Sequence, residues 1–300
     1  MRGSKRTFHS RSPILVPREV TSVPLPGEHD AASVVRPLRA IPDIGARACS
    51  VSKKVVIVTG SGSGIGRATA ARFLDEQASV VFVGRHRKKL EDAASGFAND
   101  RILIVAGDVS SEKDVDRLLQ ETLDRFGRLD VLVNNAGIHA EGKVDELATA
   151  DWRKVMATDL DGVFFASRAA LPHLKKTGGS IINVASVSGT GGDWSMAAYN
   201  AAKGGVVNLT RAMAMDHGKD GVRVNAVCPS LTRSDMTKDM MDDEELLAKF
   251  NERFALKGPA EPEDIAGVIA FLASDDARFV TGVNMPVDGG MSASNGQPPQ

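Results

Sequence analysis

Tyrosine is almost missing from this chain. One stands among 300 residues, beside two tryptophans and eleven phenylalanines. Any chemistry that needs a phenol therefore rests on Tyr199. Cysteine is nearly as scarce. Cys49 and Cys228 are far apart, which rules out a disulfide framework or a paired metal-binding motif and suits a reducing compartment. No apolar run approaches the roughly 18 residues that a membrane-spanning helix needs. Neither sign of charge dominates: 37 Lys and Arg face 38 Asp and Glu, a formal net charge of -1. That balance gives no overall attraction to nucleic acid or to an anionic membrane. The six histidines are scattered singly, so no metal is expected.

What is present describes a globular enzyme-sized body. Hydrophobic residues make up 42% and charged residues 25%, enough for a large core. Residues 1 to about 50 differ. They hold six of the 13 prolines and show no hydrophobic period. They read as a disordered leader ahead of a single domain over 51–300. A transit peptide is the alternative, because the stretch before Glu19 has Arg and Ser and no acid. Its prolines argue against a long amphipathic helix, and no secretory apolar segment is visible.

From Lys54 the chain alternates short apolar runs with helical patterns. The runs Val55–Val58, Val80–Val83, Ile102–Val105, Val131–Val133, Ile181–Val184, Val222–Val227 and Asn284–Val287 read as strands. Helices are expected over 65–77 and 111–126, with others in the remaining gaps. Continuous apolar strands alternating with helices predict an α/β fold, a doubly wound parallel sheet covered on both faces. In such sheets ligands bind beyond the carboxyl ends of the strands.

The motifs fall at those ends. Thr59-Gly-Ser-Gly-Ser-Gly-Ile-Gly66 follows the first strand and opens the first helix. Glycines there permit a tight turn and close backbone approach to a pyrophosphate, which the helix N-terminus attracts. Asp108 closes the third strand and Asn134-Asn-Ala-Gly137 the fourth. These can floor an adenosine site, although the same residue types also make ordinary turns.

Tyr199 and Lys203 lie four residues apart in an alanine-rich helical pattern, so they share a helix face. A free phenol has a pKa of about 10. A neighbouring ammonium is expected to lower it, and a drop of roughly 3 units takes about 4 kcal/mol. Such a tyrosine exchanges protons with an alcohol or carbonyl oxygen. A lone Tyr-x-x-x-Lys also arises by chance; here the glycine loop and the Asn-Asn-Ala-Gly turn accompany it.

Taken together, Thr59-Gly-x-x-x-Gly-Ile-Gly66, Asn134-Asn-Ala-Gly137, Ser186 and Tyr199-x-x-x-Lys203 resemble the short-chain dehydrogenase/reductase family over about 52–291. The resemblance implies a Rossmann fold, a nicotinamide cofactor and a homotetramer working in the cytoplasm. It makes Ser186 the substrate-oxygen binder, Tyr199 the acid/base, and Lys203 the group that tunes Tyr199 and holds the nicotinamide ribose. It carries cofactor contacts to Gly60, Ser63, Gly64, Ile65, Gly66, Arg85, Asp108, Val109, Asn135, Ala136, Gly137, Tyr199, Lys203, Pro229 and Leu231. Two positions depart from the pattern. Asp159 stands where the family usually has a catalytic Asn, and Ser230 where a Gly usually follows the proline.

The second half is most similar to the meso-2,3-butanediol (acetoin/diacetyl) dehydrogenases, in Leu171–Leu174, Ala185–Gly189, Gly191–Trp194, Cys228–Leu231 and Val287–Gly290. That implies a small alcohol/ketone substrate. A second reading is a 3-oxoacyl reductase acting on acyl carrier protein. The acidic stretch Asp239, Asp242, Asp243, Glu244 and Glu245 opposes it, because the carrier is itself acidic. Met236, Met240 and Met241 beside it suit an adaptable apolar lid or plain packing. A nucleotide-binding regulator without turnover is a third reading, opposed by the presence of Ser186, Tyr199 and Lys203.

Cofactor choice turns on Val83-Gly84-Arg85-His86-Arg87. An acid at the end of the second strand would hold the ribose hydroxyls of NAD and repel a 2′-phosphate. None is present. Gly84 leaves room, and Arg85 offers a charged fork to a phosphate. The alternative is that Arg85 and Arg87 merely point into solvent. The butanediol-type resemblance leans towards NAD(H); the local charges favour NADP(H) over NAD(H).

Overall fold

The computed structural model describes residues 51–297, and the leader expected over 1–50 lies outside them. Seven strands form one sheet in the order β3-β2-β1-β4-β5-β6-β7. They are β1 Val55–Thr59, β2 Ser79–Gly84, β3 Ile102–Ala106, β4 Val131–Asn134, β5 Ser180–Val184, β6 Arg223–Pro229 and β7 Asn284–Val287. Every pairing is parallel. This is the doubly wound, Rossmann-type architecture expected from the alternation.

The helices are α1 Gly64–Asp75, α2 Arg87–Ala94, α3 Glu112–Phe126, α4 Thr149–Met156, α5 Gly162–Thr177, α6 Ala197–His217, α7 Lys238–Asp242, α8 Glu244–Asn251 and α9 Pro262–Ala273. The first ends two residues before the expected Gln77. There Gln77 takes a left-handed φ of 66° and turns the chain into β2.

Side chains alternate across each strand. Val56 and Val58 of β1 pack on one face with Phe73 of α1 and Ile265 and Ile269 of α9. Ile57 points the other way, into a core with Leu118 of α3 and Leu174 of α5. Both faces are thus covered, which is why the strands read as unbroken apolar runs.

The strand order reverses between β1 and β4. The connections leaving their carboxyl ends diverge to opposite faces and leave a crevice. Among the described residues, no helix is long and apolar enough to cross a membrane.

Candidate active site

The crevice is walled by the glycine loop. Gly60 has a φ of 66°, and a Cβ there would lie 2.8 Å from the Ala136 Cα. At Gly66 a Cβ would come within 2.3 Å of the Gly60 carbonyl oxygen. Ser63 occupies the N-cap position of α1, yet its side chain makes no capping bond. The first backbone N–H groups of α1 are therefore left for a ligand, whereas Ser111 caps α3 by accepting from the Asp114 N–H.

Thr59 and Asn135 brace this loop. The Asn135 and Ala136 N–H groups donate to Thr59 Oγ1 at 2.9 and 3.0 Å. Asn135 Nδ2 donates to the Thr59 and Gly60 carbonyls at 2.9 and 3.1 Å. The amide expected to floor an adenosine site thus spends its donors on the loop. Asn134 is buried instead and donates to Asn183 Oδ1 at 2.9 Å. Asp108 borders the cleft, with Oδ1 accepting from the N–H and hydroxyl of Ser110.

Gly60, Ser63, Gly64, Ile65, Gly66, Arg85, Asp108, Val109, Asn135, Ala136, Gly137 and Pro229 all line one cleft, together with Tyr199, Lys203, Ser186 and Asp159. Leu231 is the exception. Its side chain is buried away from the lining, and its carbonyl accepts from the Ala260 N–H at 3.1 Å.

At the other end of the cleft α6 presents Tyr199 and Lys203. Lys203 is buried, and its ammonium lies 5.5 Å from the centroid of the Tyr199 ring. Its Nζ donates to the Val184 carbonyl at 3.0 Å and pairs with Asp159 Oδ2 at 3.2 Å. Asp159 Oδ1 accepts from the Ile138 N–H at 2.8 Å. Asp159 sits in a π-helical segment, Ala157–Asp161, between α4 and α5. That widened turn accompanies the aiming of its carboxylate into the cleft, as such bulges often do at functional sites. Gly137 keeps the approach open: a Cβ there would meet Asp159 Oδ2 at 2.9 Å and Lys203 Nζ at 3.4 Å.

The charges of this group correct one expectation. Burial pushes the Tyr199 phenol above its usual range, and the Asp159 and Asp193 carboxylates push the same way. The Lys203 ammonium and Ser186 pull it down without winning. Residue order places the cation beside Tyr199 but not the Asp159 carboxylate that opposes it. Burial opposes the Lys203 ammonium, yet Asp159 and the phenol hold its pKa above the ordinary value. Burial raises the Asp159 carboxyl, against the lowering effects of Lys203 and the Ile138 N–H.

Ser186 follows β5. Its Oγ accepts from the Ser188 N–H at 3.1 Å and lies 3.0 Å from Ser188 Oγ. The Ser188 hydroxyl in turn donates to Asp193.

A family model described as Enoyl-(Acyl carrier protein) reductase matches residues 60–292. The chain belongs to the short-chain dehydrogenase/reductase family. It is 53% identical over 245 residues to meso-2,3-butanediol dehydrogenase of Serratia marcescens, covering 82% of this chain and 97% of that one. It is 40% identical to the NADP-dependent (R)-specific alcohol dehydrogenase of Lentilactobacillus kefiri, over 80% of this chain and 97% of that one. The crystal structure of gox2181 superimposes with a TM-score of 0.78 at 28% identity, covering 82% of this chain and 98% of the other. As a member of this family the protein is an NAD(P)-dependent oxidoreductase acting on CH–OH groups.

The cleft of this dehydrogenase fits a dinucleotide. Its α1 N-terminus is uncapped, its wall admits no Cβ at Gly60 or Gly66, and a buried Ser230 hydroxyl on its lining has no hydrogen-bond partner among the described residues. Several lining residues escaped the sequence reading, Lys89 and Ser234 among them. Lys89 on α2 pairs with Asp235 at 3.1 Å and borders Gly62, and Ser234 stands against Gly64. The Lys89–Asp235 pairing spans 146 residues of chain, which no local motif records, while Ser234 forms a capping box with Thr237.

Proposed function

We propose that this dehydrogenase interconverts a small secondary alcohol and its ketone, with 2,3-butanediol, acetoin and diacetyl as the substrate group. The observation that carries the reading is the meeting of Ser186, Tyr199, Lys203 and Asp159 on the same cleft as the uncapped helix and glycine loop. A proton donor, an oxygen binder and a dinucleotide cradle are what hydride exchange with an alcohol requires. The 53% identity to a butanediol dehydrogenase supports the substrate group.

When bound, the nicotinamide supplies or accepts the hydride. The chain handles the oxygen. Tyr199 gives its phenolic proton to the reduced oxygen, or takes one from the alcohol. Ser186 donates a hydrogen bond to the same oxygen, stabilising charge that grows there. Lys203, anchored by Val184 and Asp159, supplies positive charge beside the phenol. Gly60, Ser63, Gly64, Ile65, Gly66, Asp108, Val109, Asn135, Ala136, Gly137 and Pro229 hold the cofactor.

NADP(H) is the proposed preferred form. Arg85 is exposed on the cleft lining and has no ion-pair partner among the described residues, and Lys89 stands close by. Residues 51–300 act as one catalytic domain, assembled as a cytoplasmic homotetramer as the family resemblance implies.

An acyl-carrier substrate is less well supported. The acidic run is exposed, and part of it does structural work: Asp243 caps α8 by accepting from the Leu246 N–H at 2.9 Å. Steady-state rates with acetoin, diacetyl and an acetoacetyl thioester, each with NADH and NADPH, test the reading. The highest kcat/KM is expected with a four-carbon substrate and NADPH. A clear preference for the thioester would overturn it.

A further inference from the structure

Lys89 and Asp235 meet across the mouth of the cleft, and the mechanism above gives Asp235 no task. Lys89 stands on α2, and its Cβ lies 3.2 Å from where a Cβ on Gly62 would be. Its Nζ reaches Asp235 Oδ2 at 3.1 Å. Asp235 belongs to the segment that leaves β6. In that segment Ser234 Cβ stands 3.0 Å from where a Cβ on Gly64 would be. The segment therefore crosses from the β6 side of the cleft to the glycine loop and α2.

It does not need the ion pair to keep its shape. The Arg233 N–H donates to the Ala260 carbonyl at 3.0 Å, and Arg233 Nε donates to Glu261 at 2.8 Å. Thr237 Oγ1 donates to the Thr232 carbonyl at 2.7 Å, and Ser234 and Thr237 form a capping box. The pair itself is exposed, with side-chain exposures of 60% and 69%. Such pairs add little to stability. The effect of this one falls on whatever else can use the Lys89 charge.

Arg85 and Lys89 line the cleft at the end of β2, with Gly84 and Gly62. In a wound sheet the adenosine ribose lies at this corner, and a basic residue there receives a 2′-phosphate. Lys89 is a second cation in the same corner, and its charge is already shared with a carboxylate. A phosphate carries more negative charge than a carboxylate and draws the same ammonium. Asp235 then stands beside the phosphate as a competing anion. A ribose hydroxyl carries no charge and leaves the pair as it is.

We propose that Lys89 is a second cationic partner of the 2′-phosphate, and that Asp235 is a positioning residue that sets, through Lys89, how strongly the cleft prefers NADP(H) over NAD(H). The carboxylate weakens NADP(H) binding and leaves NAD(H) binding alone. This inference rests on the proposed place of the 2′-phosphate beside Arg85 and extends it to the segment after β6.

The test is the Kd of NADPH and of NADH, read by fluorescence titration without substrate. The proteins are wild type, Asp235→Asn, Asp235→Glu, Lys89→Met and the double variant Lys89→Met/Asp235→Asn. Asp235→Asn should tighten NADPH about threefold, the order of one exposed pair, and leave NADH unmoved. Asp235→Glu keeps a carboxylate and should keep the wild-type ratio. Lys89→Met should weaken NADPH alone, and in that background Asp235→Asn should lose most of its effect. High salt should shrink the difference between wild type and Asp235→Asn. A merely structural role for Asp235 would shift both cofactors together, and that result would overturn the proposal. So would a full Asp235→Asn effect in the absence of Lys89. Unchanged NADPH binding in Arg85→Gln would reject the place of the phosphate itself, and this inference with it. A wild type that binds NADH more tightly would reject the proposed NADP(H) preference, whereas the Asp235→Asn ratio still decides the role of Asp235.

Discussion

Asp159 and Lys203 form a buried ion pair at 3.2 Å, with side-chain exposures of 0% and 5%. Each offsets the charge of the other away from bulk water. The remaining polar contacts of the pair are backbone: the Ile138 N–H to Asp159 and the Val184 carbonyl from Lys203. Removing one member of such a pair leaves the other as an uncompensated buried charge, which costs about 3–5 kcal/mol.

Asp159→Leu should therefore lose stability of that order and most activity, because both Lys203 and the Ile138 N–H lose their partner. Asp159→Asn still offers an amide oxygen to Ile138 and should keep substantial activity. It also removes a negative charge that raises the Tyr199 pKa. Its alkaline limb should consequently move to lower pH. Thermal unfolding and pH–rate profiles of both variants check this, and an unshifted profile in Asp159→Asn would make the carboxylate merely structural.

The raised Tyr199 pKa sets the direction of the wild-type profile. Carbonyl reduction needs the protonated phenol, so its rate should hold through neutral pH and fall as pH rises through the raised pKa. Alcohol oxidation needs the phenolate and should climb over the same range. Measuring both directions against pH decides it; a reduction rate already falling in the acid range would contradict the assignment.

Tyr199→Phe removes the only phenol while leaving the ring. General acid/base action contributes about 10²–10⁴-fold, and kcat should drop by that factor. Cofactor titration should show binding retained. Activity within a few-fold of wild type would reject Tyr199 as the proton donor.

Gly84→Asp should move the preference towards NADH, because the carboxylate repels a 2′-phosphate and accepts from ribose hydroxyls. The site tolerates the change: a Cβ there lies 3.2 Å from Leu90 Cδ2, the movable end of a side chain. The ratio of kcat/KM for NADPH to that for NADH is the readout. A wild-type ratio below one would refute the proposed NADP(H) preference.

Gly66→Ala offers a contrast. Its Cβ would stand 2.3 Å from the Gly60 carbonyl oxygen and 2.4 Å from Asn135 Nδ2. Backbone cannot step aside as a leucine methyl can. This variant should lose both cofactor affinity and thermal stability, and unchanged values of both would show that the loop has more freedom than its contacts allow.

Local pattern made the architecture legible. Each strand lies between two helix layers, so its apolar run announced itself, and the glycine loop announced its turn because few other residues adopt it. The order Tyr199, Lys203 was readable for the same reason: helical spacing is a local property. Tertiary structure decided the electrostatics. The sequence put a cation beside the phenol, but only folding brought Asp159, 44 positions before Lys203 in the numbering, into contact with it, and only burial showed which effect prevails. Lys89 with Asp235, and Asn135 with the Thr59 and Gly60 carbonyls, were hidden likewise. Charge and hydrogen-bond partnership depend on distances in space, and residue order fixes such distances only within an element.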